Sequence, residues 1–440
     1  KDLCYAIISY FLMIYFTDVV GINPAFVGTL FLMARLWDAI NDPIMGMIVD
    51  NTRSRFGKFR PWIFIGTILN SVVLFLLFRK PDLEGTSLYL YYSVMYILWG
   101  MTYTIMDIPY WSMIPTLATT KEDREKISVV PRIFASLGGL TVTTFGIALV
   151  NKLGNGNQIK GFEYFALGIV IIFIISTIVT CINVKEKTQV QVNNEKVNIK
   201  QAFNILKQND QLLVFIGIVL AYNLAMQLAG GAAIYYFKYV AGKESLFSLY
   251  SFFKVAEIGG LMLFPVVTRK IGRQQVFRMA TILPMFGLIT LFISGLIAPQ
   301  SILFISVSAV LLNLGSGFLL GSTTVMLADI VDYGEYKLGS RNESIIFSAQ
   351  TLLVKLASAL SGWLIGVGLS LIGYVAGAAV QSNITIIGIR VIMTIIPSIV
   401  ALVMYVIYKS KYKINGSFHD EILQVIGSRK KVKVLNINNK

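Results

Sequence analysis

Apolar runs long enough to cross a bilayer recur along the whole 440-residue chain, and this recurrence limits the fold more than any other feature. A membrane helix needs about 20 such residues, and in lipid only helices and closed barrels satisfy every backbone polar group. The runs do not alternate polar and apolar residues as barrel strands do. With 55% hydrophobic and 14% charged residues, the chain is too apolar for a water-soluble domain. The expectation is an all-α integral membrane protein of the lipid bilayer. About twelve spans are read at 2–20, 26–49, 61–79, 87–113, 129–150, 163–184, 211–238, 246–268, 276–297, 301–329, 344–374 and 383–409.

Loop charge orients these spans. Arg53, Arg55, Lys58 and Arg60, then Lys121, Arg124 and Lys126, then Arg269, Lys270 and Arg273 fall on one side, whereas GINPA and GLIAPQ on the other lack Lys and Arg. By the positive-inside rule both termini are expected in the cytoplasm of a multi-pass cell-membrane protein. The formal net charge of +15 is therefore a topology signal, with no nucleic-acid partner implied. The expected organisation is a six-helix bundle over 1–184, a cytoplasmic middle loop over 185–210, a second six-helix bundle over 211–409 and a cytoplasmic tail over 410–440. The basic loop TRSRFGKFR has an echo in TRKIGRQQVFR half a chain later, as parallel repeats would leave.

Composition also excludes chemistries. Cys4 and Cys181 are too sparse for a disulfide framework, and the single histidine, His419, lies in the polar tail. Histidine triads, zinc sites and haem ligation fall away, leaving no enzyme nucleophile and no cofactor beyond a coupling ion. The first apolar run carries no small-residue cleavage site, so no signal peptide is expected, and the missing initiator Met points to residues trimmed from the front.

The second span breaks the apolar pattern. Arg35, Asp38 and Asp42 fall at i, i+3 and i+7 on one helical face, with Asn41 beside them. A charge at the centre of a membrane helix costs roughly 2.5 to 3.5 kcal/mol, so three together mark a polar cavity, a partner or an ion. Two carboxylates one turn apart raise each other's pKa unless a positive charge lies between them. That pair, helped by an amide oxygen, suits Na⁺, Li⁺ or H⁺; an internal ion pair of Arg35 with one Asp is the structural alternative.

The fourth span carries Thr104, Asp107 and Trp111 on one face. A carboxylate for sugar hydroxyls and an indole for the apolar ring face form a common sugar cradle, although Asp107 beside Pro109 and interfacial Tyr110 and Trp111 have a structural reading too. Lys355 lies about three turns inside the eleventh span and needs an acidic partner, with Asp38, Asp42 and Asp107 available. Counting Asp2, Asp38, Asp42 and Asp107 against Arg35, Arg132 and Lys355 leaves about one negative charge, which a bound cation would balance. Lys254 with Glu257 reads as a mutual pair and Arg390 as structural or interfacial, while Asp329, Asp332, Glu335, Lys337 and Arg341 read as gate or loop residues.

Taken in order, WDAINDP, TRSRFGKFRPW, MDIPYWSMIP, ADIVDYGEYKLGSR and QTLLVK resemble the glycoside-pentoside-hexuronide:cation symporter family of the major facilitator superfamily, and within it the melibiose permeases. The resemblance covers nearly the whole chain. It implies a twelve-helix symporter in which Asp38, Asn41, Asp42 and Thr104 bind the cation, Na⁺ among the candidates. It implies that Lys355 belongs with that site and that Lys1, Asp2, Tyr103, Asp107, Trp111, Arg132, Gln350 and Thr351 bind a galactoside. Leu319 and Leu320 replace an expected aromatic wall of helix ten, a departure that bears on which sugar is carried. The expected activity is import of melibiose or a related galactoside with Na⁺, Li⁺ or H⁺. Carriers of a pentoside, a glucuronide or a lysolipid, or a membrane sensor that transports nothing, are the rivals.

Overall fold

The structure is a computed structural model that describes residues 1–113, 117, 121–184, 208–339, 343–415 and 417–438. In chain order the helices are α1 (Asp2–Ile14, continued as a π-helix over Tyr15–Val20), α2 (Pro24–Asp50), α3 (Arg60–Leu77), α4 (Gly85–Met113), α5 (Lys121–Gly154) and α6 (Gln158–Asn183). They continue with α7 (Asp210–Tyr235, π-helical over Tyr236–Val240), α8 (Leu246–Phe252), α9 (Val255–Ile271), α10 (Arg273–Ile297), α11 (Ile302–Leu338), α12 (Glu343–Leu371), α13 (Asn383–Lys411) and α14 (Ser417–Asn438). Among the described residues ten segments are long and apolar enough to cross a membrane. Neither α2 nor α4 is one of them. Their charged, aromatic and hydroxyl residues, the ones that carry the candidate site, dilute their hydropathy.

Two compact units divide the chain. The first joins α1 to α6 with Gly231–Phe252 and Gly362–Ile389. The second holds the earlier part of α7, Phe253–Ser361 and Arg390–Lys440.

In the first unit, α2 begins where Asn23 accepts hydrogen bonds from the backbone nitrogens of Ala25 (2.9 Å) and Phe26 (3.4 Å), with Pro24 at the first helical position. The helix is inside out by the standards of a soluble protein. Met33, Leu36, Trp37, Ile40, Ile44, Met47 and Ile48 recur along one exposed stripe, while Ala34, Asp38, Met45 and Val49 are buried. An apolar stripe turned outward with a carboxylate turned inward belongs in lipid. Beneath it, Tyr15, Phe16, Phe78, Tyr92, Trp99 and Phe162 form a buried aromatic core, in which the Tyr15 hydroxyl donates to the Phe78 carbonyl at 2.9 Å.

The second unit packs α10 and α9 on α11 around Leu212, Phe215, Phe277, Leu319, Ile330 and Tyr408, with the Phe277 and Tyr408 rings stacked. Leu319 is thus a core residue. The helix α11 runs past the expected end at 329 to Leu338, because nothing breaks it before Gly339, whose φ of 71° supplies the left-handed cap. The expected eighth span is two helices, α8 and α9.

The tail is helical over Ser417–Asn438. Its helix α14 docks on α11: Phe418 packs between the Tyr333 and Tyr336 rings, and Arg429 donates to the Tyr336 carbonyl at 2.9 Å. His419, read as a tail residue, is seated with Nε2 3.2 Å from Asp329, which also pairs with Arg273 at 3.2 Å. Asp210 accepts from Tyr333 at 2.8 Å and pairs with Lys337. The acidic end of α11 therefore makes ion pairs within its unit, as the loop-pair reading expects. Arg390 is buried with its guanidinium 5.8 Å from the Phe292 ring centre, a structural placement.

Candidate ion and substrate site

The site is built where α4 crosses α2. Each helix carries a proline just past its carboxylate, Pro43 after Asp42 and Pro109 after Asp107. Proline has no N–H, so the carbonyls of Ala39 and Ile105 lose their usual helical donors. Polar backbone is thereby released beside both acids.

On α2, Arg35 donates to Oδ2 of Asp38 at 2.8 Å, and the Asp38 side chain is only 8% exposed. The Arg35 guanidinium lies 5.9 Å from the Tyr5 ring centre on α1. One turn further, Oδ1 of Asp42 accepts from the Thr104 hydroxyl of α4 at 2.9 Å. Asn41 has a buried Nδ2 without a hydrogen-bond partner among the described residues, so no bond fixes which way its amide faces. Asp38 and Asp42 thus lie one turn apart on α2, the first paired with Arg35, as the structural alternative has it, and the second bonded to Thr104.

One turn along α4 from Thr104 the chemistry changes. Lys1 places Nζ 2.5 Å from Oδ1 of Asp107, and the same ammonium lies 4.4 Å from the Trp111 ring centre and 4.6 Å from that of Tyr110. Asp107 and Trp111 therefore both meet the Lys1 ammonium. Tyr110, read as interfacial, meets it too. Tyr103 stacks on Trp99 at 5.4 Å and lies 5.7 Å from Tyr5. Asp2, in the first turn of α1, packs over Gly138 of α5.

Lys1 changes the charge tally. Set against Asp107, it raises the count of basic partners to match the four acids, so charge balance no longer calls for a bound cation. The ion reading rests instead on the geometry of Asp38, Asp42 and Thr104. Lys355 and Gln350 belong to α12 in the second unit, both half-buried. The side chains of Arg132 and Thr351 lie outside the described residues.

Sequence reasoning missed two groups in this region. Asn70 of α3 donates to the Trp99 carbonyl and to the Thr102 hydroxyl, each at 3.0 Å, and so holds the α4 turn that precedes Thr104. Gly100, in that turn, faces the Asp38 carboxylate. An asparagine within an apolar run was the available signal for the first; a glycine gives none.

Residues 2–416 match the family described as MFS/sugar transport protein. The chain is a member of that family. The glycoside-pentoside-hexuronide type of symporter that the motifs resemble is thereby established as its family, and the protein is a multi-pass membrane transporter and not an enzyme. It is 31% identical over 380 residues to the isoprimeverose transporter of Lactiplantibacillus pentosus, covering 86% of this chain and 79% of that one. It is 28% identical to the lactose permease of Lactobacillus delbrueckii subsp. bulgaricus over 96% of this chain and 70% of that one. The transporter's fold is similar to that of a bacterial homologue of the human lysosomal transporter Spinster, with a TM-score of 0.70 at 13% identity, covering 94% of this chain and 95% of that one.

Proposed function

We propose that this transporter is a cation-coupled sugar symporter of the cell membrane, importing a galactoside or a related glycoside with Na⁺, Li⁺ or H⁺. The observation that carries the reading is the division of labour along α4. Thr104 donates to the α2 carboxylate, and Asp107, three residues on, holds an ammonium between its carboxylate and two aromatic rings. Three residues of helix rise about 4.5 Å, so an ion at the first position and a sugar at the second are felt through one rigid turn. In this mechanism Lys1 occupies the place of the sugar hydroxyls on Asp107, and a glycoside exchanges with it while a ring face stacks on Trp111. Ion and sugar then favour each other's binding by the same factor, and the loaded carrier rocks between its two openings. At about 100 mV one inward charge is worth roughly 2.3 kcal/mol, which sustains on the order of fifty-fold accumulation.

A sugar-binding role for Asp2, Arg132, Gln350 and Thr351 and a coupling role for Lys355 are proposed from the family resemblance, with both termini cytoplasmic. A relative named for isoprimeverose supports a wider glycoside range, xylosides included. The test is uptake of labelled α-galactosides, β-galactosides, xyloside disaccharides and glucuronides into proteoliposomes, with Na⁺, Li⁺ and a proton gradient in turn. A galactoside taken up with one of these cations is expected, and Asp107→Ala is expected to weaken its binding about ten- to a hundredfold, the loss of a charge-assisted hydrogen bond. Wild-type affinity in that variant would return Asp107 to a structural role.

A further inference from the structure

The expected eighth span breaks after the seven residues of α8, and the break carries two charges that the α2 and α4 residues do not use. Lys254 caps α9, and Glu257 lies in its first turn. Val255, Ile258, Met262 and Val266 recur along α9 as an exposed apolar stripe. Glu257 and Gly260 fall on the opposite face. That face meets α11 backbone to backbone, since a Cβ on Gly260 would strike the Leu314 carbonyl and one on Gly317 the Glu257 carbonyl. The close approach delivers Glu257 to Ser316, whose hydroxyl donates to its carboxylate. Ser316 in turn lies 3.0 Å from the Tyr222 hydroxyl of α7, both residues being buried. The Lys254 ammonium acts through its charge on Glu257 and on Tyr222.

We propose that Lys254, Glu257, Ser316 and Tyr222 form a glycoside subsite of the second unit, one that selects neutral sugars over uronides. Charge within a membrane helix persists chiefly where it faces a polar space or a partner, and interrupted backbone at that depth is tolerated where protein or a polar cavity surrounds it. A mutual ion pair of Lys254 with Glu257 needs neither the break nor the two hydroxyls. Together the four side chains match a polyol: the carboxylate, oriented by Ser316, accepts from sugar hydroxyls, and the ammonium donates to hydroxyl or ring oxygens. One acid and one base sum to zero, so a neutral glycoside leaves the subsite balanced. A uronide brings a second carboxylate beside Glu257, and like charges repel strongly where water is scarce. The subsite therefore admits the neutral ring and turns away the acidic one.

This inference rests on the reading of the chain as a glycoside symporter, and the experiment separates the two failures. Uptake of lactose, melibiose, isoprimeverose and methyl glucuronide is measured in proteoliposomes for wild type and Glu257→Gln, with Na⁺, Li⁺ and a proton gradient in turn, alongside thermal unfolding. Wild type is expected to take up at least one neutral sugar and to exclude the glucuronide. Glu257→Gln removes the repelling charge and leaves Lys254 to receive the uronate. Its affinity for the neutral sugar is expected to fall about tenfold while glucuronide uptake appears. A folded Glu257→Gln with wild-type selectivity overturns the proposal, as does a wild type that prefers the glucuronide. Should the variant fail to fold, wild-type protein treated with a hydrophobic carbodiimide decides: the transported sugar is expected to suppress the Glu257 adduct, read by peptide mass, and an adduct that is absent or indifferent to sugar overturns the proposal. Wild type that takes up none of the four sugars sinks the symporter reading and this inference with it.

Discussion

Asp18 and Asp38 are both buried acids of the first unit, and they are held in opposite ways. The Asp18 side chain is fully buried at the end of α1 and receives Lys238, the hydroxyls of Tyr239 and Tyr374, and Thr17. Three of those donors are 220, 221 and 356 residues away in sequence. Asp38 is held by Arg35 of its own helix, and its neighbour Asp42 by Thr104, 62 residues away on the adjoining helix. An acid whose donors come from separate segments fastens those segments, and any motion that parts them must break it. The Asp38 contact with Arg35 and the Asp42 contact with Thr104 can each hold while more distant segments move. The first arrangement suits a joint and the second the proposed ion site.

The sharpest way to break the comparison is to remove the lysine from the joint. Lys238→Ala leaves the Asp18 carboxylate buried without its cation and is expected to cost about 3–5 kcal/mol, read from unfolding of the purified protein. Asp18→Asn in the same chain should recover much of the loss, because the uncompensated charge is gone. A Lys238→Ala protein as stable as wild type would mean that Asp18 fastens nothing.

At the site the contrast predicts the reverse pattern. Asp42→Cys is expected to abolish cation-stimulated sugar binding while leaving cation-free binding and the fold largely intact, measured by titrating sugar affinity with and without Na⁺ and Li⁺. A mutant that still gains affinity with Na⁺ removes Asp42 from the ion site.

How far these regions could be read beforehand follows from their chemistry. Arg35, Asp38 and Asp42 stood out because charge in an apolar run is costly, and Thr104, Asp107 and Trp111 because their spacing put them on one face. The cluster of Asp38, Asp42 and Thr104 on α2 and α4 was local enough for periodicity to find. Asp18 was not legible, since an acid near the end of a span looks like an ordinary boundary residue and its partners lie more than 200 residues away. Lys1, which the resemblance implies as a sugar-binding residue, was left out of the charge tally, whereas it is bound to Asp107. The hydropathy that identifies most spans passes over α2 and α4, whose charged, aromatic and hydroxyl residues dilute it.

A smaller effect is expected at Lys355. If it tunes the α2 carboxylates, Lys355→Ala alters the Na⁺-to-Li⁺ preference or the accumulation ratio more than it alters abundance. Thermal stability and Na⁺-dependent uptake on the same purified variant check this. A stable variant with unchanged cation dependence removes Lys355 from coupling, and a fall in stability alone assigns it a structural ion pair.

The smallest effect tests the joint from its rim. Glu244 lies in the loop between the π-helical end of α7 and α8, and burial pushes its carboxyl pKa up; Lys238 lowers it in part and the Asp18 charge raises it further. Burial likewise raises the pKa of Tyr374, so its hydroxyl keeps the proton that it donates to Asp18. A carboxyl whose pKa is higher folded than unfolded binds more protons in the native state between the two values, so stability rises as pH falls through that window. The window starts at the raised folded value and closes at the ordinary glutamate range of about 4.3. Glu244→Gln removes this contribution, and the difference in thermal midpoint between wild type and variant should change in favour of wild type as pH is lowered across it. Parallel melting curves for the two proteins over the window would show that Glu244 does not titrate with folding, and the Asp18 joint would then be insensitive to pH at its rim.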